Sequence, residues 1–363
     1  HGAKMYRAIP MLVLAAALAA AGCQSDEDPD GGGGAGAGGT AGSGGSGGTG
    51  GTGGVGGTGG TGGTGGEEPP DGPDTGWTVE PPPTFHAPMT EVERPSWCGD
   101  EFAWWSSVRG FVVAPGGRYL PDVRASLCVD FVDAEGESGY VCLQPVRSNE
   151  EGVFTVEPPF QDRDMRCLKR AAMRVFAQRS GRATVYVDLE LEGGPARLIT
   201  EPIVLPRVTP ALDLPPEGDP EAPREVRFDD GLTLEVVPAW LWPVSGGYED
   251  LGARRIPTDA VGLSAESAAF DGLYAFAPES AVDEAPGFAV SIPNVHDWEP
   301  GSTVELFVLG GIDCRLFGHE ELVPEGTWAK FGEATVSGDG ETIVSNADNG
   351  LPCLTWMAYR LKE

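Results

Sequence analysis

Proton-transfer chemistry would have to start from four histidines, and the chain has only His1, His86, His296 and His319. His296-Asp297 has the adjacency of half a charge-relay pair, which needs a positioned Ser or Cys nucleophile to complete it. No Ser occupies a recognisable strained turn, and an Asx-type loop between strands is the preferred account of the pair. His319-Glu320-Glu321 follows Cys314, but zinc would want a second His at helical spacing, and none is present. Carboxylates are so abundant that no pair of them identifies the fixed separation that glycosidases require. The oxygen-rich runs Asp229-Asp230-Gly231 and Asn346-Ala347-Asp348-Asn349-Gly350 are the candidate calcium loops. Neither follows the EF-hand spacing, and turn formation explains both. The sequence therefore predicts no catalytic residue, no metal and no cofactor. Nine Trp raise a different chemistry, the stacking of sugars on exposed indoles. Trp104-Trp105 are adjacent, so a strand would send one inward and one outward. Trp240 and Trp242 are expected to share a face, with core packing or sheet cover as the default role for these indoles.

The elements that hold these residues read as β. Val185, Val187, Leu189 and Leu191 alternate with Thr184, Tyr186, Asp188 and Glu190, a period of two. Glu192-Gly193-Gly194-Pro195 then predicts a hairpin toward Leu198–Leu205. A second hairpin can be read to its register. With its turn at Glu135-Gly136, Leu127 opposes Leu143 and Val129 opposes Val141 on one apolar face. The same register sets Cys128 against Cys142 on the other face, close to disulfide geometry. Cys98 is left for Cys167. The later region also alternates, through Phe288, Val290 and Ile292, then Val304, Leu306 and Val308. Val336–Ile343 reads as two strands around a Gly-rich turn. None of the Cys falls in a Cys-x-x-Cys pair, which argues against a zinc ribbon or a thioredoxin-type redox site.

Composition bounds the partners. The chain has 363 residues, with 24 Lys+Arg against 55 Asp+Glu and a formal charge of −31. Such an excess repels phosphate backbones and argues against nucleic acid as a partner. Attachment to anionic lipid through charge would need basic clusters. The 55 Gly are clustered, with residues 31–66 almost pure Gly, Thr, Ser and Ala. Such a segment buries nothing and is expected to be a flexible coil. The Gly-x-Ser-x-Gly match at Gly44–Gly48 sits in that coil, without the strand-turn-helix context a nucleophile needs.

Lys4 and Arg7 precede an apolar run, Ala8–Ala21, too short to span a bilayer and of the form of a secretory signal. Ala20-Ala21-Gly22-Cys23 resembles the lipobox of bacterial lipoproteins, with Ala20 where Leu is usual. That resemblance implies a signal peptide over 1–22, lipidation of Cys23, and a membrane partner through the acyl chains. Residues 23–94 are then expected to be a disordered acidic, Gly-rich and Pro-rich tether. Six Cys remain for an oxidising compartment.

Two folded units follow. The first, residues 95–207, carries Val108-Arg109-Gly110-Phe111-Val112-Val113, Gly116-Gly117, Leu120-Pro121-Asp122-Val123 and Gly152-Val153-Phe154-Thr155-Val156. These resemble carboxypeptidase regulatory-like domains, transthyretin-like β-sandwiches that serve as accessories without chemistry. Residues 208–224 are Pro-rich and are expected to be a stiff linker. The second unit, residues 225–363, carries Tyr274-Ala275-Phe276-Ala277-Pro278, Val290-Ser291-Ile292-Pro293-Asn294, Trp298-Glu299-Pro300-Gly301, Gly326-Thr327-Trp328 and Ala334-Thr335-Val336-Ser337. This series resembles a bacterial surface module related in pattern to the β-sandwich of ankyrins and netrin receptors, which implies binding, spacing or adhesion. Cys314 and Cys353 depart from that pattern and, as the last two Cys, are expected to pair.

The expectation is an all-β protein: two β-sandwich domains in series after a signal peptide and a tether. Its expected function is a non-enzymatic, lipid-anchored cell-envelope protein, at the outer membrane or cell surface rather than the inner membrane. Its modules would meet an envelope protein or polysaccharide for binding, adhesion or scaffolding. The alternatives are a carbohydrate-binding lipoprotein using surface Trp, or an accessory part of a secreted hydrolase system.

Overall fold

A computed structural model describes residues 69–157, 167–177, 181–191, 194–319 and 321–363. Cys23, the signal stretch and the Gly-rich tether lie outside the described residues. Residues 67–363 form a compact unit that is almost entirely β. Helical geometry among the described residues is confined to short 3-10 turns, and no helix is long and apolar enough to cross a membrane.

The first half comprises β1 (Ser107–Val113), β2 (Arg124–Val132), β3 (Ser138–Cys142), β4 (Val146–Arg147), β5 (Val153–Val156), β6 (Cys167–Phe176), β7 (Val185–Leu189), β8 (Ala196–Leu198) and β9 (Ile203–Val204). One sheet has the order β3-β2-β6-β7, with β4 beside β2. The other has the order β5-β1-β8, with β9 also on β1. Alternation along β2 sends Leu127 and Val129 into the apolar core that the two sheets share. Cys128 is the cross-strand partner of Cys142, and the two are disulfide-bonded, as are Cys98 and Cys167. The expected hairpin after β7 does not form. β7 pairs with β6, whereas β8 runs parallel to β1 in the opposite sheet. Between β7 and β8 the chain passes from one sheet to the other.

The second half comprises β10 (Thr209–Pro210), β11 (Arg224–Arg227), β12 (Thr233–Val236), β13 (Leu241–Pro243), β14 (Gly252–Ile256), β15 (Gly272–Val282), β16 (Ala289–Pro293), β17 (Thr303–Leu309), β18 (Trp328–Val336), β19 (Thr342–Ser345) and β20 (Cys353–Leu361). They form one hydrogen-bonded path, β10-β14-β15-β20-β17-β18-β19-β16-β12-β11, with β13 beside β15. Strands from both ends of this path share one core. Leu234, Val290 and Ile292 meet Tyr274, Phe276, Leu306 and Tyr359 in it. The path has therefore folded back over itself into a closed double layer. Cys314 and Cys353, both fully buried, are bonded within it.

Strands β15 and β20 join the halves. Tyr274, Phe276, Met357 and Tyr359 face the core of the second half. The intervening Leu273, Ala275, Ala277, Trp356 and Ala358 belong to the core of the first. Both faces are dry, which explains why β20 is buried from Cys353 to Tyr359 whereas β12, β16 and β19 alternate. The Pro-rich stretch 208–224 lies along this body, with Thr209–Pro210 paired to Ala253 and Gly252 of β14.

Residues 69–94, expected as the end of the tether, instead form a strap across both halves. Phe85 is buried against Phe111, and Arg109 donates to the Phe85 carbonyl at 3.1 Å and the Ala87 carbonyl at 2.5 Å. Asp71 forms a two-oxygen ion pair with Arg182 at 2.6 and 3.0 Å, while Asp74 pairs with Arg254 of the second half. Gly72 passes so close to Gly116 that a Cβ on either would lie 2.7 Å from the other's Cα. The Pro content misleads here because a few apolar and acidic anchors between the prolines find buried partners.

Candidate functional site

Part of the polar face of β6 and β7, at Arg174 and Tyr186, is shut off from water. Arg174 and Tyr186 are register partners on these strands, and the second half covers them. Glu279 continues the row Leu273, Ala275, Ala277 on β15 and reaches this face. Its position follows a register shift between Ala275 and Ser280, where Pro278 has no N–H to give to the ladder. Such irregularities re-aim side chains.

The three side chains form a closed cluster. Arg174 donates to Glu279 Oε2 from Nη2 at 2.7 Å and from Nε at 3.2 Å. The Tyr186 hydroxyl donates to Glu279 Oε1, and the Ile312 amide donates to the same oxygen at 3.0 Å. Arg174 and Glu279 are 5% and 4% exposed, so this pairing is dry. Burial alone would lower the Arg174 pKa, but the Glu279 and Tyr186 oxygens outweigh it and raise the value. Burial, reinforced by the Glu279 charge, pushes the Tyr186 phenol well above its ordinary value. Gly311 is required at this point, because a Cβ would lie 2.9 Å from Glu279 Oε1 and 2.5 Å from Thr355 Cγ2.

A second polar contact lies nearby. The Tyr140 hydroxyl donates to Glu325, and Arg170 donates to the Glu325 carbonyl and, at 3.1 Å, to Thr327 Oγ1. Burial raises the Glu325 pKa despite the Tyr140 hydrogen bond.

The Arg174–Glu279 pair forms the floor of a cleft of about 660 Å³ between the halves. Phe176, Arg182, Pro278 and Val244 line its walls, and the 3-10 turn Tyr248–Asp250 contributes Glu249 and Asp250. The Arg174 guanidinium lies 3.9 Å over the Phe176 ring. Trp242 within β13 and Val244 in the bend just after it are both exposed, with less exposed Pro243 between them. Trp242 is 64% exposed, the most of any large hydrophobic side chain among the described residues.

The other residues singled out by type fall elsewhere. His296 stacks on Trp298 with centroids 4.6 Å apart, and its Nε2 lies 3.4 Å from the Tyr359 hydroxyl. Burial and then the Arg255 charge lower its pKa. Asp297 is exposed in a left-handed turn at φ 54°, a position Asp tolerates. Asn294 pins this loop by accepting from the Trp298 amide and donating to the Trp298 and Gly340 carbonyls. His319 is exposed. Asp230 accepts from the Arg255 amide at 2.7 Å and the Leu232 amide at 3.3 Å, while Asn349 accepts from the Glu333 amide at 3.3 Å. Both loops thus use side-chain oxygens to cap backbone. No group of three or more metal-ligating side chains is assembled among the described residues.

Trp104 and Trp105 do not divide between core and solvent. Both are buried, since residue 104–105 backbone is not in a strand and the strap covers Trp104, whose Nε1 donates to the Val92 carbonyl at 3.0 Å. Trp240 and Trp242 do not share an environment either. Trp240 ends a 3-10 turn and stacks over Phe288, leaving Trp242 outside. The Arg174–Tyr186–Glu279 cluster was missed from sequence. The one available signal was Glu279 itself, a carboxylate in an otherwise apolar run from Leu273.

No protein-family model and no curated protein matches the chain. Two solved forms of Bacteroides uniformis beta-glucuronidase 2 show a faint likeness. One is a calcium-binding mutant, at 16% identity over 71% of this chain and 29% of that one, with a TM-score of 0.13. The other is covalently bound to cyclophellitol-6-carboxylate aziridine, at 15% identity over 70% and 28%, with a TM-score of 0.11. The chain spans less than a third of either structure, and scores this low carry no argument about fold or function.

Proposed function

We propose that this is a lipid-anchored cell-envelope protein whose two β modules act as one rigid, non-catalytic body for binding or scaffolding. The observation that carries this reading is the weld between the halves. Two cores share β15 and β20, and the polar groups at the seam are committed to one another. A body built in this way presents surfaces at fixed geometry, which lowers the ordering cost of binding. The charged-then-apolar N-terminus ending at Cys23 supports lipid attachment, and the disulfides support an oxidising compartment. The resemblances to carboxypeptidase regulatory-like domains and to the ankyrin- and netrin-receptor-related surface module point the same way. Two or more acyl chains on Cys23 would make attachment stable, since each buried methylene contributes about 0.8 kcal/mol.

Fractionation of producing cells tests the anchor. The native chain is expected in the membrane fraction, and Cys23→Ala in the soluble envelope fraction. Equal partition of the two would overturn lipid anchoring. A pull-down from envelope fractions with the full chain then tests binding. Saturable retention of an envelope component is expected, and none would leave a passive spacer.

Trp242 favours a second reading, a carbohydrate-binding lipoprotein.

A further inference from the structure

We infer that the cleft between the halves, together with the exposed Trp242 two residues before its wall residue Val244, is a binding site for an uncharged glycan. This rests on the reading of the protein as a binding body and names the ligand class for it.

The size of the cleft, about 660 Å³, falls within the roughly 300–1,000 Å³ of small-ligand sites, which favour interfaces between domains. Its floor is polar and fixed. Arg174 and Glu279 are held by each other, by Tyr186 and by the Ile312 amide, so the floor keeps its shape when a ligand enters. Arg182 in the wall is held by Asp71 of the strap. Apolar surface from Phe176, Pro278 and Val244 lines the cleft together with the polar side chains of Ser245, Glu249 and Asp250. A sugar ring presents that combination: hydroxyls around its edge and an apolar C–H face. The indole of Trp242 offers a flat surface on which such a face can lie.

Charge decides which glycan. The cleft lining carries three carboxylates against two guanidiniums, Arg174 and Arg182, so negative charge is in excess, and its exposed members are Glu249 and Asp250. They sit in a chain with a net charge of −31. A uronic-acid or phosphorylated glycan would meet two like charges at the entrance. A neutral glycan can donate its hydroxyls to the same oxygens, and hydrogen bonds to an ionised acceptor are the stronger kind.

The test is a fluorescence titration of the full chain with cellotriose, maltotriose, chitotriose and mannotriose, and with tri-galacturonate as the charged control. One neutral series is expected to saturate. Trp242→Ala should weaken it at least tenfold, and Glu249→Gln with Asp250→Asn severalfold. Both variants should keep the native unfolding midpoint, since these side chains are exposed. The inference fails if no neutral oligosaccharide saturates, if both variants bind as the native chain does, or if tri-galacturonate binds more tightly. None of these outcomes bears on membrane fractionation, so this inference and the anchoring proposal fail separately.

Discussion

Two sets of ion pairs in this molecule use the same chemistry in opposite surroundings. In the seam, Arg174 and Glu279 are closed off from water and share their hydrogen bonds with Tyr186 and Ile312. On the outer sheet, Glu305 accepts from Lys330 at 2.9 Å and from Arg360 at 2.8 Å, and Glu333 accepts from Lys330 and Lys362. The outer ladder follows the register, since Glu305 stands opposite Glu333 on one side and Arg360 on the other. Water can replace any member there. In the seam it cannot, so removing one partner strands the other charge in a medium of low polarity. The seam pair therefore locks the fit between the halves, while the ladder decorates one sheet.

The largest expected effect is Glu279→Ala, which should cost about 3–5 kcal/mol in urea unfolding by leaving Arg174 unpaired. Glu305→Ala should cost under about 1 kcal/mol. Equal losses would mean that the seam is wet, and the contrast would collapse. Next, Cys128→Ala with Cys142→Ala opens a loop with a sequence separation of 14 and should cost about 3 kcal/mol in the same measurement. Gly311→Ala should cost about 1–3 kcal/mol, because the added methyl must displace Glu279 or Thr355 in a packed site. Its cost should shrink in the Glu279→Ala background, whereas Glu305→Ala should not couple to it.

The smallest effect sharpens the comparison through pH. Hydrogen bonds from Lys330 and Lys362 lower the Glu333 pKa to about 2. The folded state thus holds that proton less tightly than the unfolded state. Its stabilisation is present above pH 4.5 and is lost as pH falls toward 2. Burial raises the Glu325 pKa at the seam, so its contribution is greatest below pH 4.5 and declines as pH rises through the folded value. Relative to Glu333→Gln, the native chain should gain stability between pH 2 and 5. Relative to Glu325→Gln, it should lose stability on passing above pH 4.5. Parallel slopes would remove the distinction between the two environments.

Local pattern carried much of the fold into view. The period-two runs through Leu127, Val290 and Val304 identified strands. The turn at Glu135-Gly136 was enough to place Cys128 opposite Cys142. These features depend on neighbours only a few residues away, and a β register is a local count once its turn is known. The alternation on β7 was also legible, but its meaning was not. Thr184 and Tyr186 stand on the more polar side of that alternation, yet they are buried because the second half lies over them. The strap was misread for the same reason: Asp71, Asp74 and Phe85 find partners about 26 to 180 residues away.

By itself, the sequence determined the all-β class, the acidic character and the pairing of Cys128 with Cys142. Composition and short-range periodicity are sufficient for those. Only the tertiary structure decided that the two halves share β15 and β20. It also decided that Arg174 meets Glu279, and that Trp242, of the adjacent and near-adjacent tryptophans, is the one left in water. Each of these follows from which surfaces exclude water when distant strands meet, and burial of that kind has no local code in the chain.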